Sequence, residues 1–289
     1  MADPREMQRG STPKQMQEKQ PGIESKMEPH PVQPTDYQGT GKLKGKAALI
    51  TGGDSGIGRA VSILYAKEGA DVAISYLDEH EDAEETKRLV EAEGAKCLLL
   101  PGDIKDASHC EDLVEKTVQE FGKINILVNN AAIQYVREDL LDISNEQFEE
   151  VFRTNFFSQF YLTKAAVRHM QSGDSIISTS SINAYKGNPV FMDYSATKGA
   201  ITSFIRSIAQ SLAKKGIRAN TVAPGPVWTP LIPSSFDENQ VQDFGQDSLM
   251  ERPGQPSEHA WAYVMLAADE SSYMTGQAIH INGGAWTSS

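Results

Sequence analysis

From residue 46 onward, short runs of apolar residues alternate with stretches in which apolar residues recur at helical spacing. The apolar runs do not alternate cleanly with polar residues, which is typical of strands that are covered on both faces in a parallel sheet. The predicted strands are 46–51, 71–76, 97–100, 125–129, 175–179, 218–223 and 278–281.

Helical patterns separate these runs. The first follows a glycine cluster after the first strand, and two later helices have predicted caps, at Ser108 and in the capping-box pattern from Ser144 to Gln147. The later predicted helices are 81–93, 108–121, 145–170, 195–214 and 257–268. Repeated βα units with right-handed crossovers predict an α/β fold. We expect a single-domain, doubly wound, Rossmann-like three-layer sandwich over residues 41–289, built on a seven-stranded parallel sheet.

Residues 1–40 form a proline-rich N-terminal extension of a different character. Six of the 14 prolines of the chain lie in its first 45 residues, where no apolar signal region is found. Such a segment buries too little apolar surface to offset its ordering entropy, so we expect partial disorder, mainly over residues 1–20. Ile23, Met27, Val32 and Tyr37 are spaced apolar anchors, which predict an extended arm across either its own domain or a neighbouring subunit.

Composition narrows the possible functions. The 27 Lys and Arg residues against 39 Asp and Glu residues give a net charge of −12, which argues against binding to nucleic acid or to anionic membranes. No apolar run approaches a membrane span. Cys97 and Cys110 fit neither a disulfide framework nor a common zinc pattern, which favours the cytoplasm. The acidic run 78–85 is interpreted as a helix start and a solvated face, and no metal site is predicted.

The turn after the first predicted strand has the spacing G-x-x-x-G-x-G, from Gly52 to Gly58. Glycines allow a tight turn and a close approach to a diphosphate, and the following helix offers free N–H groups to the anion. Such turns also occur for packing, but the βαβ context favours a nucleotide. The candidate cofactor contacts in the turn are Gly52, Asp54, Ser55, Gly56, Ile57 and Gly58.

This turn and several later motifs together resemble the short-chain dehydrogenase/reductase family. The resemblance covers about residues 42–286, and the N-terminal sequence QPGIESKMEPHP is similar to the branch of bacterial general stress proteins and glucose/ribitol dehydrogenase-like oxidoreductases. It implies an NAD- or NADP-dependent oxidoreductase acting on CH–OH donors. The motifs are TGGDSGIG, Asn129-Asn-Ala-Ala132, Ser181, Tyr194-Ser-Ala-Thr-Lys198 and Pro224-Gly225.

The resemblance implies a catalytic set of Ser181, Tyr194, Lys198 and Asn155. A free phenol is a poor base near neutrality, but Lys198 lies one helical turn beyond Tyr194, and its ammonium would favour the tyrosinate. Ser181 would hydrogen-bond the substrate oxygen, and Asn155 would hold a water in a proton relay toward Lys198. Alone, the Tyr-x-x-x-Lys spacing is also that of an ordinary amphipathic helix.

The remaining cofactor contacts follow from the same resemblance. Tyr194 and Lys198 belong to this set too, since Lys198 would hold the nicotinamide ribose. Asp103 either accepts from the adenine amino group or caps a turn, and Asn129 either lines the adenosine ribose or serves the turn after its strand. The other predicted contacts are Tyr76, Leu77, Ile104, Ala131, Pro224, Gly225, Val227 and Thr229.

The cofactor preference rests on charge. The second strand ends at Tyr76 and Leu77, without the acid typical of NAD binding or the arginine typical of NADP binding. Asp54 and Asp78 would repel a 2′-phosphate, and Arg59 is a weak candidate to bind one. We therefore expect NAD to be preferred and NADP to be tolerated.

The substrate is expected to be a small alcohol, such as a sugar or polyol, interconverted with its aldehyde or ketone. Alternatives are a reductase of small aldehydes and a catalytically idle dinucleotide sensor. The irregular segment 230–254 is a candidate substrate lid, and we expect a homotetramer or a dimer. Apolar candidates for the substrate wall, or for an interface, are Trp228, Leu231, Ile232, Phe236 and Phe244, and polar candidates are Gln134, Tyr135, Asn183 and Lys186.

Overall fold

A computed structural model describes residues 12–287. Seven parallel strands form one sheet in the order β3-β2-β1-β4-β5-β6-β7, which confirms the predicted doubly wound architecture. The strand bounds agree with the predicted runs to within one residue. The strands are β1 Ala47–Thr51, β2 Asp71–Tyr76, β3 Cys97–Pro101, β4 Ile126–Asn129, β5 Ser175–Thr179, β6 Arg218–Pro224 and β7 Ala278–Ile281.

Helices cover both faces of this sheet. Helices α1, α2 and α9 bury their apolar sides against one face, and α3, α5 and α7 cover the other. No helix within residues 12–287 combines the length and the apolar character that crossing a bilayer requires. The helices are α1 Gly56–Lys67, α2 His80–Ala92, α3 Ala107–Phe121, α4 Asn145–Phe152, α5 Ser158–Ala166, α6 Asn183–Lys186, α7 Met192–Leu212, α8 Glu238–Gln242 and α9 Pro256–Ala267.

Two local predictions were wrong. Helix α3 is capped by Asp106, whose side chain accepts from the backbone N–H of Ser108, so Ser108 lies inside the helix that it was expected to cap. The predicted helix 145–170 is interrupted by a π-helical turn, Arg153–Phe157, between α4 and α5. In a π-helical turn each backbone N–H bonds to a carbonyl one residue further back than in an α-helix. The spacing of apolar side chains does not reveal this shift, so the sequence predicted a continuous helix. Ser144 does cap α4, accepting from the N–H of Gln147 at 3.1 Å.

Disorder was predicted mainly over residues 1–20. Of these, residues 12–20 pack against the domain, with backbone hydrogen bonds from Thr12 to Gln242 and from Gln17 to Pro233, and residues 1–11 lie outside the described residues. Met27 is 1% exposed and packs in a cluster with Trp228, Ile232 and Val241. The indole N–H of Trp228 donates to the carbonyl of Pro29 at 2.9 Å. The arm therefore shares a small apolar core with the segment that follows β6.

A buried group of charges fixes the arm next to α1. The guanidinium of Arg59 contacts the carboxylates of Glu24, at 2.7 Å, and Asp82, at 3.2 Å. The backbone N–H of Glu24 also donates to Asp82 at 2.6 Å. All three side chains are almost completely buried, so each charge depends on the others for compensation.

We predict that Met27→Ala lowers the free energy of unfolding by about 2–4 kcal/mol, because it leaves a cavity against Trp228. Urea denaturation at fixed protein concentration measures the change. Met16→Ala is the matched control, since Met16 is 55% exposed in the same arm, and it should change stability by less than about 0.5 kcal/mol. Equal effects of the two substitutions would show that the arm adds no core to the domain.

Candidate active site

A cleft of about 490 Å³ opens at the carboxyl ends of the strands. It lies where the strand order of the sheet reverses: β1 pairs with β2 on one side and with β4 on the other. Connections leave these two strands toward opposite faces of the sheet, which creates a crevice suited to a dinucleotide. The ends of β1, β2, β3, β4, β5 and β6 all contribute residues to its wall.

The glycine turn after β1 lies against the floor of this cleft. Gly52 and Gly56 have φ values of 61° and 53°, which other residues rarely adopt. Gly58, a predicted cofactor contact, does not line the cleft. Its glycine serves packing instead, because a Cβ there would lie 1.8 Å from the carbonyl oxygen of Gly52 and would force the helix away from the turn. The other predicted turn contacts, Gly52, Asp54, Ser55, Gly56 and Ile57, all line the cleft.

The segment after β4 is tied to this turn. The Thr51 hydroxyl accepts from the backbone N–H groups of Asn130 and Ala131, at 3.0 and 3.1 Å. Asn130 and Ala131 line the cleft, whereas Asn129 is fully buried behind it with its amide toward Thr163 and Ser178. Asn129 is the last residue of β4 and is buried in the sheet, whereas Asn130 begins the segment that lines the cleft.

The predicted catalytic side chains converge on the same cleft. Ser181 follows β5, and Tyr194 and Lys198 lie one turn apart in α7, with all three lining the wall. The Lys198 ammonium nitrogen lies 5.2 Å from the centroid of the Tyr194 ring. It donates to the carbonyl of Thr179 at 2.8 Å, which fixes it between β5 and α7.

Burial shifts both titrating groups away from their charged forms. Burial raises the pKa of Tyr194 to about 12, and a hydrogen bond with Ser181 opposes this shift. Burial alone lowers the pKa of Lys198 to about 7. A buried amine with no carboxylate partner is costly for the fold and is typical of a site that awaits a ligand.

Asn155 lies in the π-helical turn and is fully buried behind the cleft. Its amide exchanges two hydrogen bonds with the backbone of Ile133, both at 2.9 Å, and also donates to the Thr197 hydroxyl at 3.3 Å. Ile133 lines the cleft. Asn155 therefore links the wall beyond β4 to Thr197 of α7, the residue that directly precedes Lys198.

The end of the cleft beside β2 is acidic. Tyr76, Leu77 and Glu79 line it together with Asp54. Burial raises the pKa of Glu79 to about 8 and that of Asp54 to about 6. Arg59, the weak candidate for a 2′-phosphate contact, is instead fully engaged by Glu24 and Asp82.

The predicted contacts after β3 and β6 also reach the cleft. Asp103 and Ile104 line the cleft after β3, and Pro224, Gly225, Val227 and Thr229 line it at and after the end of β6. A Cβ on Gly225 would lie 2.7 Å from Cα of Asn282, so this turn passes too close to the segment after β7 for a larger residue.

The segment after β6 supplies most of the predicted substrate wall. Leu231, Ile232, Phe236 and Phe244 line the cleft, whereas Trp228 lies behind it in the small core with Met27. Phe191 joins this wall, with its ring 5.3 Å from that of Phe236. The polar candidates Gln134, Tyr135, Asn183 and Lys186 all line the cleft.

Several lining residues were missed in the sequence. Arm residues 20–22 reach the cleft from far along the chain, and no local pattern indicates that contact. Glu79 lies two residues after the predicted contact Leu77, and Thr179 lies two residues before Ser181, so a wider window at the strand ends would have included both. Among residues 12–287, no group of three or more His, Cys, Asp or Glu side chains is placed to hold a metal ion.

Fold and site together define a dinucleotide-binding oxidoreductase. The family model for enoyl-(acyl carrier protein) reductase matches residues 52–285. The chain belongs to the short-chain dehydrogenase/reductase family.

Close relatives extend this finding. The chain is 62% identical to general stress protein 39 of Bacillus subtilis, over 94% of this chain and 96% of that protein. It is 50% identical to the glucose and ribitol dehydrogenase of Daucus carota, over 96% and 97% of the two chains. It is also 50% identical to NADPH-dependent aldehyde reductase 1 of Arabidopsis thaliana, over 94% and 97%.

A crystal structure gives the same fold. A short-chain dehydrogenase from Burkholderia cenocepacia J2315, in complex with NADP, aligns with a TM-score of 0.80 and 30% identity. The alignment covers 84% of this chain and 99% of that chain. The family therefore implies a nicotinamide dinucleotide. Gly52 and Gly56 line the cleft without a side chain of their own, which fits such a group, and the backbone N–H of Gly56 donates to the buried carboxylate of Glu24 at 2.5 Å.

We predict that Lys198→Met stabilises the protein in the absence of nucleotide, because it removes a buried amine. Between pH 7 and the ordinary lysine value of 10.5, the unfolded chain binds a proton that the folded chain lacks, so wild-type stability rises with pH. The gain from Lys198→Met should therefore be largest below pH 7 and should decrease by up to about 1.4 kcal/mol per pH unit above it.

Urea denaturation from pH 6 to 9 measures this dependence. Lys214→Met is the control, since Lys214 is exposed beyond the end of α7. It should change stability by less than about 0.5 kcal/mol at every pH. A gain from Lys198→Met that stays constant over this range would contradict the assigned shift.

Proposed function

We propose that the protein is an NAD-preferring oxidoreductase that interconverts a small alcohol with its aldehyde or ketone. The observation that carries this proposal is the meeting of Ser181, Tyr194 and Lys198 on one wall of the cleft, opposite the glycine turn. A dinucleotide, when bound, supplies the hydride acceptor or donor. The chain supplies the proton chemistry at the substrate oxygen.

Tyr194 is the proposed acid/base. In alcohol oxidation its phenolate oxygen takes the hydroxyl proton, and in carbonyl reduction its hydroxyl returns that proton to the oxygen. The Ser181 hydroxyl donates to the same substrate oxygen and stabilises its developing negative charge. A protonated Lys198 beside the Tyr194 ring lowers the cost of forming the phenolate.

Asn155 is proposed to act by positioning. Its two amide hydrogens are engaged by Ile133 and Thr197, so its carboxamide orients the wall and α7. The resemblance to the family implies that Asn155 also holds a water in a proton relay toward Lys198.

The preference for NAD rests on the carboxyl group of Asp54 beside β2, which stays mainly ionised near neutrality at a pKa of about 6, whereas Glu79, with a pKa of about 8, is mainly neutral there. Asp54 and Glu79 line the region beside β2, and the buried guanidinium of Arg59 is held by Glu24 and Asp82. Among residues 12–287, no buried arginine is free to meet a 2′-phosphate that enters this region. The NADP complex of the Burkholderia relative and the name of the Arabidopsis relative favour tolerance of NADP.

Two substrate classes suit the cleft. Gln134, Asn183, Lys186 and Asn188 offer hydrogen bonds to a sugar or polyol, as the carrot relative suggests. The aromatic wall instead suits a small aldehyde, the alternative that the Arabidopsis relative suggests. Initial rates with glucose, ribitol and short aldehydes separate the two, because unmatched polar groups reject apolar analogues.

We also propose a homotetramer, or a dimer, in the cytoplasm. Phe148, Phe157 and Phe160 are each between 37% and 43% exposed along α4, the π-helical turn and α5. Trp261 on α9 is 49% exposed. Large apolar side chains on two separate surfaces support assembly through both.

The cytoplasmic location rests on two buried, unpaired cysteines.

We predict that Tyr194→Phe lowers kcat by at least about a thousandfold, while dinucleotide binding changes less than threefold, because only the proton-transfer group is removed. Steady-state kinetics and fluorescence titration with NADH measure the two effects. Tyr185→Phe is the matched control, since it removes a neighbouring hydroxyl that has no hydrogen-bond partner within residues 12–287. Retained turnover in Tyr194→Phe would reject the assigned acid/base.

We predict that Leu77→Arg raises kcat/KM for NADP relative to NAD by about tenfold, because a guanidinium at the end of β2 binds the 2′-phosphate. Leu77 is 39% exposed at the cleft, so a longer side chain fits there. Leu141→Arg, at a 90% exposed position outside the cleft, is the control. A wild-type preference for NADP above tenfold would contradict the proposed preference for NAD.

A further inference from the structure

The N-terminal arm crosses the mouth of the dinucleotide cleft. Lys19 contacts Asp78 just after β2, and Gly22 lies against Pro230 beyond β6. Between them, the Gln20 amide makes two hydrogen bonds with the backbone of Gln134, beyond β4. Three consecutive contacts of the arm thus reach three strand ends that border the cleft.

We propose that residues 17–22, here called the strap, form a roof that retains the bound dinucleotide, and that Gln20 holds this roof closed. The inference rests on the proposed dinucleotide-dependent function. Gln20, Pro21 and Gly22 line the cleft together with the glycine turn, so the strap lies over the position of the diphosphate. A dinucleotide beneath it leaves only after the strap lifts.

The hydrogen bonds of three glutamines distinguish Gln20 from its neighbours. Gln15 pairs with the backbone of Glu28, and Gln17 pairs with the backbone of Ile23, so both join the arm to itself. Gln20 makes the same kind of paired contact, but to the body of the domain, at 2.7 and 3.2 Å. Its amide therefore closes the roof, whereas the other two shape the arm.

Both ends of the strap are anchored more firmly than its middle. Upstream, the backbone N–H of Gln17 donates to Pro233 at 2.6 Å, and downstream Glu24 is buried against Arg59. In between, the Lys19 side chain is 67% exposed, so its ion pair with Asp78 is weak. This arrangement lets the middle of the strap lift as a loop while both of its ends stay bound to the domain.

Gly22 keeps the strap close to the opposite wall. A Cβ at this position would lie 2.3 Å from the carbonyl oxygen of Pro230, which is backbone and cannot rotate away. Only glycine permits this approach, so the sequence itself supports a closed strap. Gly22→Ala tests the same roof by a steric route that is independent of hydrogen bonding.

The experiment measures release of NADH, and separately of NADPH, by stopped-flow fluorescence after a chase with excess NAD. Gln20→Ala and Gly22→Ala should each release the nucleotide about fivefold faster or more, because each weakens the closed strap. The melting temperature without nucleotide should remain within about 2 °C of wild type for Gln20→Ala, which separates release from loss of folding. Gln15→Ala is the matched control and should release at the wild-type rate.

The outcomes are distinct. Wild-type release from both strap variants would overturn the roof and leave the proposed oxidoreductase intact. If Gln15→Ala releases the nucleotide as fast as Gln20→Ala does, any disturbance of the arm speeds release, and the specific role of Gln20 is overturned. A wild-type protein that binds neither NADH nor NADPH would reject the proposed function itself, and the strap with it.

Discussion

The site depends on a constraint of the parallel sheet, whose strand order reverses between β1 and β4. The connections that leave these strands depart toward opposite faces, so the polypeptide cannot fill the space between their carboxyl ends. The parallel registers of β1, β4, β5 and β6 then bring the segments that follow these strands to the same edge, after Thr51, Asn129, Thr179 and Pro224. A glycine turn, a serine and the start of the segment after β6 therefore meet without any contact having to be encoded locally.

Two sets of buried titratable groups differ in whether their charges are paired. Arg59 lies between Glu24 and Asp82, so each charge is compensated and the arrangement fixes the arm to α1. Within residues 12–287, the Lys198 side chain has the carbonyl of Thr179 as its one hydrogen-bond partner and has no carboxylate partner, and burial lowers its pKa to about 7. Buried charges that are paired are expected of a structural role. A buried amine without an opposite charge lowers the stability of the fold, and a bound ligand can offset this loss.

The sequence predicted nearly all of the sheet, because each strand is a short apolar run between glycines or helix starts. It predicted most of the cleft for the same reason, since residues at strand ends share one edge. It did not predict the π-helical turn around Asn155, because side-chain spacing is insensitive to one altered hydrogen bond. Nor did it distinguish Asn129 from Asn130, which depends on where β4 ends. The contact of Gln20 with Gln134 joins segments 114 residues apart and has no local signal at all.

The small core around Met27 connects the two halves of the cleft. Trp228, Ile232 and Val241 belong to the segment that walls the substrate region, and the arm supplies the fourth member of their cluster. The order of this segment therefore depends partly on the arm. The same arm is fixed by Glu24 beside the glycine turn. An arm that is bound to both places couples the wall on the substrate side to the helix end on the nucleotide side, which explains why a proline-rich extension is folded against the domain.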